Sequence, residues 1–510
     1  MIEIKAYRGH IRNWEALCDE LEIDKKLSRE DREKEILIKA YEKWGYDLAD
    51  HFYGMFAFAL YDTEKDETFC LRDHFGTKPF YYYLTKDNRL LYGTMIRDII
   101  DKEGFEKELN EDMLQIYLTL TYCAGSDTFF KGLKKLMPGH YLIFKDGKIS
   151  ITRYWHPTFK IDESKTLEEY ADEIHQTVKQ MFKEIKNDDE VATSFLSGGV
   201  DSAYVIGMSD VKEASCCGYE EEKFDESPLA KQTADYLGKG FNKTNITPEQ
   251  FFEVIPFVMK NMEQPLGDAS AIAFTLGCKA AAKKYKLCYS GEGSDEFFGG
   301  YNMYRNAERY GENLKTFYVG NSNIMNEDDK KALLKKYNEN VLPINLVKEL
   351  YDEMEGYDPL TMMMNVDINV WLEGDIYLNV DKMSTACGLE IRMPLTDRRV
   401  FEVASHLPAK YKINEEQNKV AFRTAALNVL PEEIAFRKKL GFVVPIRMWL
   451  ADPKYNQDVV ETLHSDNAKR FFNQEEIDKI YNTYINENSD LWRKVWTIYT
   501  FLVWYREYFD

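Results

Sequence analysis

EVATSFLSGGVDS, Glu190 to Ser202, runs from an apolar strand through a glycine-serine turn into an apolar helix start. Glycines at such a turn let the backbone come close to a phosphate, and serine hydroxyls add donors. The helix start contributes free N–H groups and the positive end of its dipole. Ser197, Gly198, Gly199 and Ser202 are therefore expected to cradle phosphate oxygens. Asp201 cannot bind phosphate itself and suits Mg²⁺ instead. A tight strand-to-helix turn with no ligand would use similar residues. Five specified positions, however, match by accident in a chain this long about once in a thousand or less. No lysine-serine or lysine-threonine pair follows the glycines, so the turn is not a Walker A loop.

Upstream, Thr166 and Glu169 form a capping-box pattern. Leu167, Tyr170, Ile174, Val178, Phe182 and Ile185 then recur at helical spacing, which predicts a long amphipathic helix opening a new region. Downstream, the strand ASCCGY and the strand KLCYS (Lys286 to Ser290) alternate with helical stretches, an α/β pattern with a parallel sheet. SGEGSDEFFGGY, Ser290 to Tyr301, follows the last of these strands and carries Glu292, Asp295 and Glu296 among small residues, a composition suited to metal ligation and proton handling. Two glycine-rich acidic turns after strands of one sheet would share one rim, where α/β sites form. Beyond about Tyr304 the chain reads as mainly helical. Before Ile161 it is β-rich: GMFAFALYD (Gly54 to Asp62), TFCLRD, PFYYYLT and RLLYGT are strand candidates. MPGHYLIFKDGKISITRYW is a hairpin with Asp146-Gly147 at its turn. Domains are expected over residues 1–160 and 161–510.

The chain has 510 residues, 44% hydrophobic and 14% aromatic, enough for sizeable cores in two or more domains. No apolar run is long enough to cross a bilayer, and the charged start MIEIKAYRGHIRNW does not read as a signal peptide, so cytoplasmic residence without a membrane partner is expected. The 8 cysteines lack zinc or disulfide spacing and read as buried thiols. A formal charge of -21 argues against a nucleic-acid surface. A polyphosphate ligand would need local help from backbone donors, a metal and a few basic side chains.

The SGGVDS turn resembles the loop shared by ATP pyrophosphatases, enzymes that cleave ATP between the α and β phosphates and adenylate an acceptor. Together with SGEGSDEFFGGY, the chain resembles the asparagine synthetases. FDESPLAKQTADYLG (Phe224 to Gly238), EQPLGDASAIA (Glu263 to Ala273), DKMSTACGLEIRMPLTD (Asp381 to Asp397), NKVAFRTAALNVLP (Asn418 to Pro431) and FRKKLGFVVP (Phe436 to Pro445) match that family's blocks in order. The resemblance implies an α/β fold with two parts. One is an ATP-pyrophosphatase-type parallel sheet, adenine nucleotide alpha hydrolase-like, with helical additions. The other is a truncated N-terminal-nucleophile-type glutaminase-like α+β domain. It also implies aspartate adenylated by ATP to β-aspartyl-AMP and amidated to asparagine, with AMP and pyrophosphate released. Leu196, Ser197, Asp201 and Ser202 would lie on ATP, Cys217 and Gly218 would border the adenine, and Ser290 and Gly291 would complete the pocket. Asp201 and Asp295 would hold Mg²⁺, Glu292 would act on the attacking ammonia, and Lys439 would neutralise phosphate charge. These roles suit the chemistry: adenylation spreads negative charge as pyrophosphate leaves, and ammonia must lose a proton as it attacks. For the acceptor, Asp268, Ser270 and Glu390 fall in blocks expected to face the cleft.

The amino end departs from the family. Glutamine-using members begin with a cysteine nucleophile, whereas this chain begins Met1-Ile2, and Cys18 reads as a buried helix position. Tyr7, Arg8 and Gly9 stand at the family's asparagine-glycine-glutamate strand, and Asp31, Arg32 and Glu33 replace its glycine-serine-aspartate. A misplaced start, a separate glutaminase subunit or the use of free ammonia would each account for this. The reading adopted is a truncated domain served by external ammonia or a partner, with a homodimer contact expected at the open sheet edge. Rival readings are a ligase related to β-lactam synthetase acting on another carboxylate, and a non-catalytic synthetase-like protein. Glu292 argues against the first, because those relatives carry tyrosine there. Intact Asp201, Asp295, Glu292 and Lys439 argue against the second.

Overall fold

The computed structural model describes residues 1–185, 191–438, 441 and 443–510. In chain order its strands are β1 (Ile2–Ile11), β2 (Gly54–Asp62), β3 (Glu67–Arg72), β4 (Tyr81–Leu84), β5 (Leu90–Gly93), β6 (Lys134–Lys135), β7 (His140–Lys145) and β8 (Lys148–Arg153). β9 (Ala192–Phe195), β10 (Glu213–Gly218), β11 (Gly240–Asn245), β12 (Leu287–Tyr289) and β13 (Glu390–Arg392) follow. The first eight make a five-stranded antiparallel sheet, β1-β2-β3-β7-β8, and a three-stranded one, β5-β4-β6.

β2 reads as a continuous apolar run because both of its faces are covered. Phe56, Phe58 and Leu60 pack with Trp14, Leu17, Cys18, Ile36 and Leu37 from the helices Trp14–Leu21 and Arg29–Trp44. Ala57 and Ala59 face Phe80 and Leu136 on the other side. The predicted hairpin closes at Asp146 and Gly147, whose φ values of 51° and 70° supply the two left-handed residues that a tight two-residue hairpin turn requires.

The last five strands form a parallel sheet in the order β11-β10-β9-β12-β13. The chain winds outward from β9 through β10 to β11 and then crosses back to lay β12 on the other side of β9. The β9/β12 boundary is thus the topological switch point, where loops at the carboxyl ends of neighbouring strands diverge and leave a crevice. The helix Leu167–Glu184 begins with the predicted capping box, Thr166 accepting from the Glu169 N–H while the Glu169 carboxylate accepts from the Thr166 N–H. Its core face buries Tyr170, Ile174, Val178 and Met181, with Leu167, Phe182 and Ile185 partly buried against the same core.

The carboxyl-terminal half is helical and fuses with the first region into one large core. The helix Trp492–Phe509 is apolar on all sides because it is surrounded, with Trp496, Phe501 and Trp504 buried against Phe129, Phe130 and Phe251. Among the described residues, no helix is long and apolar enough to cross a membrane. Buried ion pairs stitch the amino-terminal sheets to the helical half. Glu373 takes Arg72 at 2.8 Å and Lys135 at 2.7 Å, and Asp381 takes Arg8 and Lys78, both at 2.7 Å.

Candidate active site

At the end of β9 the chain turns through Leu196 and Ser197 to Gly199, the N-cap of the helix Val200–Met208. Serine hydroxyls organise this turn. Ser202 Oγ accepts from the Ser197 N–H at 3.1 Å, and Ser197 Oγ accepts from the Gly199 N–H at 3.1 Å. At the end of β12, Ser290 donates its N–H to the Arg392 carbonyl at 3.0 Å and its hydroxyl to Glu292 Oε1 at 2.9 Å. The two turns touch: a methyl group at Gly291 would stand 3.0 Å from both the Asp201 carbonyl carbon and the Ser202 nitrogen. A side chain at Gly291 would press on this backbone, so glycine lets the loops meet this closely.

Asp201 and Asp295 converge on a residue that sequence reading did not single out. Lys419 Nζ lies 2.6 Å from Asp201 Oδ1, 2.8 Å from Asp295 Oδ1 and 2.8 Å from Ser294 Oγ, with its side chain almost fully buried. Its backbone is left-handed, φ 58°, a strained conformation for a lysine. NKVAFRTAALNVLP could have pointed to it only as a basic residue in a family block; the left-handed turn that aims it is a tertiary fact. Arg423 fixes this segment to the next, donating to the carbonyls of Asn418 at 2.9 Å, Ala435 at 2.6 Å and Arg437 at 3.0 Å. Lys439, expected on the phosphates, lies outside the described residues.

The crevice has a volume of about 510 Å³. Its wall carries Leu196, Ser197, Gly199, Asp201, Ser202, Cys217, Ser290, Gly291, Glu292 and Asp295, so ten of the predicted positions share one cleft. Gly198 and Gly218 stand beside the wall, not on it. Gly198 donates its N–H to Glu226 at 3.3 Å, and the space a side chain would need at Gly218 is filled by Lys243 and Asp225. Aromatic surface from Phe195, Tyr219, Phe224 and Phe274 lines the part near Cys217, a flat apolar environment suited to a purine. Asp268 and Ser270 also face the cleft.

Two sequence expectations are corrected. Glu390 faces away: on β13 it pairs with Arg29 at 2.6 Å and Arg392 at 2.8 Å, and although burial raises its pKa, these guanidinium groups hold it well below the usual range. Register decides this, because on β13 the side chain falls on the face turned to the amino-terminal helices. Glu296 is also withdrawn. It is buried beneath the loop, accepts from the Tyr301 hydroxyl, and burial, reinforced by Asp295, lifts its pKa to about 8. Tyr301 in turn accepts from Trp371 Nε1 at 3.0 Å, which fixes both rings on the cleft wall.

No group of three or more acidic, histidine or cysteine side chains that could hold a metal occurs among the described residues. Asp201 and Asp295 supply two carboxylates, which fits Mg²⁺, a cation usually bound by one or two carboxylates together with substrate phosphates and water.

A family model for asparagine synthase matches residues 172–506, spanning the parallel sheet, the crevice and the helical half. The chain belongs to the asparagine synthase family. A glutamine amidotransferase domain model matches residues 3–155, in agreement with an N-terminal-nucleophile-type α+β fold for the antiparallel sheets. Asparagine synthetase [glutamine-hydrolyzing] 1 of Bacillus subtilis is 31% identical over 98% of this chain and 84% of its own length. A putative asparagine synthetase [glutamine-hydrolyzing] of Mycobacterium tuberculosis is 27% identical over the same shares, 98% and 84%. A putative asparagine synthetase 2 of Methanocaldococcus jannaschii is 31% identical over 60% of each chain. As an asparagine synthase family member, the chain is an ATP-dependent, asparagine synthase-like ligase.

Proposed function

We propose that the crevice adenylates the side-chain carboxylate of aspartate and converts it with ammonia to asparagine. The supporting observation is the convergence of Asp201, Asp295 and Glu292 on one wall where the turns after β9 and β12 meet, with Lys419 buried against the two aspartates. The N–H groups of the Ser197–Ser202 turn and the hydroxyls of Ser197 and Ser202 bind the triphosphate, while Leu196, Cys217, Ser290 and Gly291 bound the nucleoside. Mg²⁺, held by Asp201 and Asp295, would neutralise the pyrophosphate. A carboxylate oxygen of the acceptor attacks the α-phosphorus, and the bond from that phosphorus to the bridging oxygen of pyrophosphate breaks. Lys419 and Lys439 hold positive charge against the departing group. Ammonia then attacks the acyl carbon, AMP leaves, and Glu292 takes the proton that the nitrogen loses.

Free ammonia, or ammonia from a partner, is the proposed nitrogen source. At the positions where the family reads glutamine, this chain's side chains are engaged in packing. Arg8 binds Asp381 and Thr385, Arg32 stacks on the Trp14 ring at 3.6 Å, and Glu33 accepts from the Ile11 N–H at 3.1 Å. Residues 1–160 and 161–510 are the proposed domains. β1 lies at the edge of its sheet, a surface on which a second copy or a glutaminase subunit could pair.

ATP–pyrophosphate exchange tests the reading. Aspartate should promote exchange, and ammonium should yield asparagine where glutamine alone does not. Exchange promoted by other acids while aspartate is inert would transfer the chain to a different amide- or lactam-forming chemistry.

A further inference from the structure

A second cavity, of about 310 Å³, lies on the seam between β1 and the segment that runs from the end of the helix Leu378–Ala386 to β13. It shares no lining residue with the ligase crevice. Arg8 and His10 come from β1, Lys78 from the loop before β4, and Ser384, Thr385 and Glu390 from the synthetase half. Its size falls at the lower end of the range for small-molecule sites. Thr385 is exposed, so the cavity has a mouth on the surface.

The lining carries more positive charge than the protein answers. Arg8 and Lys78 share one carboxylate, Asp381, at 2.7 Å each. Lys78 is 8% exposed, and Asp381 is its one hydrogen-bond partner among the described residues, so two of its three N–H donors are unmet. Glu390, the one acid among the described lining residues, is already taken by Arg29 at 2.6 Å and Arg392 at 2.8 Å. His10 adds the opposite need. It is 4% exposed, and its Nδ1 stands 3.1 Å from Glu33 Oε1. That oxygen also accepts from the Ile11 N–H at 3.1 Å, which puts the ring proton on Nδ1 and leaves Nε2 as an acceptor. Nε2 has no hydrogen-bond partner among the described residues. Burial, with Arg392 and Arg29 nearby, holds the His10 pKa well below its usual range, so the ring is neutral. Unmet donors and an unmet acceptor around one largely buried cavity are unfavourable unless a ligand completes them.

We propose that the seam cavity binds a small hydroxylated oxyanion, a hydroxycarboxylate or hydrogen phosphate. Its charged oxygens take the spare donors of Lys78 beside Arg8, and its hydroxyl donates to His10 Nε2. Such an anion also supplies the second negative charge that Arg8 and Lys78 lack. An amino acid, glutamine included, fits poorly, because its ammonium would stand against two cations. A divalent metal fits poorly for the same reason. A ligand here touches both halves of the chain and so stabilises the seam by binding the folded state. The site goes beyond the ligase reading and does not depend on it.

Isothermal titration calorimetry on the full-length protein, with lactate, propionate, phosphate and glutamine at constant ionic strength, tests the site. Lactate or phosphate should bind, and lactate about threefold to tenfold more tightly than propionate, which lacks the hydroxyl. Binding of lactate alone would mark the class as hydroxycarboxylate, and of phosphate alone as inorganic anion. Lys78→Met should weaken binding by about tenfold or more, the usual effect of losing a charge-assisted hydrogen bond. Thr385→Trp fills the exposed mouth, should weaken binding comparably and serves as the second variant if Lys78→Met does not fold. Binding unchanged in both variants would put the anion elsewhere and overturn the seam site. So would propionate or glutamine binding as tightly as the better of lactate and phosphate, or no binding by either of those two.

Discussion

Lys419 illustrates how a side chain gains its role from its surroundings. Removing it leaves Asp201 and Asp295 facing each other without a buried counter-charge, so Lys419→Met should lower aspartate-dependent ATP–pyrophosphate exchange by about a hundredfold to a thousandfold, the usual effect of deleting a preorganised charge. Lys419→Arg should not rescue it, because a planar guanidinium cannot occupy a pocket shaped for one ammonium between two carboxylates and Ser294 Oγ. Glu292 belongs to the later step. Glu292→Gln keeps the size of the group but loses the base, so asparagine formation should fall much further than exchange; equal losses in both assays would remove the assignment. Ser197, Gly199, Asp201, Ser202, Glu292 and Asp295 were legible as residues because their types and spacing suit phosphate, metal and proton chemistry. Lys419 was not, since an isolated lysine has no pattern to stand out from.

At the scale of elements, legibility followed burial and capping. The helix Leu167–Glu184 announced itself through the Thr166 and Glu169 box, and Thr166→Ala should destabilise the protein by about 1 kcal/mol in urea unfolding while leaving exchange intact. β11, GFNKTN, is a polar edge strand with no alternating pattern, and β13 is only three residues long, so neither carried a strand signal. The helix Pro359–Asn369 carries Asp367, which accepts from Tyr304 and Tyr318 at 2.6 and 2.7 Å, yet burial raises its pKa from 3.8 to about 7. A carboxyl raised on folding contributes stability that is complete below pH 3.8 and is lost as pH rises through about 7. Asp367→Asn keeps an acceptor for both tyrosines and removes the titration. Its melting temperature relative to the parent protein should therefore climb between pH 4 and 7, and a constant difference across that range would show that Asp367 does not titrate there.

Across the whole molecule, the amino-terminal sheets and the synthetase half share buried charges as well as an apolar core. Glu373 is 1% exposed between Arg72 and Lys135, both also buried. Glu373→Ala would strand two cations in the interior, a change expected to destabilise by about 3 to 5 kcal/mol in chemical denaturation. Glu373→Gln, which keeps hydrogen-bond acceptors and the shape, should lose less. If the alanine variant were as stable as the parent, solvent would have to reach this seam.

By itself the sequence determined the local chemistry of this protein. Glycine, serine and acidic residues after apolar strands specify a phosphate turn and an acidic loop through backbone freedom and side-chain type, and hydrophobic periodicity specifies the strands and helices that flank them. Tertiary structure alone decided which charges meet. Winding from β9 out to β11 and back to β12 brings two loops, about ninety residues apart in sequence, into contact at one rim, turns Glu390 and Glu296 away, and buries Lys419 against Asp201 and Asp295. Contacts of that separation depend on strand order and packing, and no short-range pattern of residues encodes them.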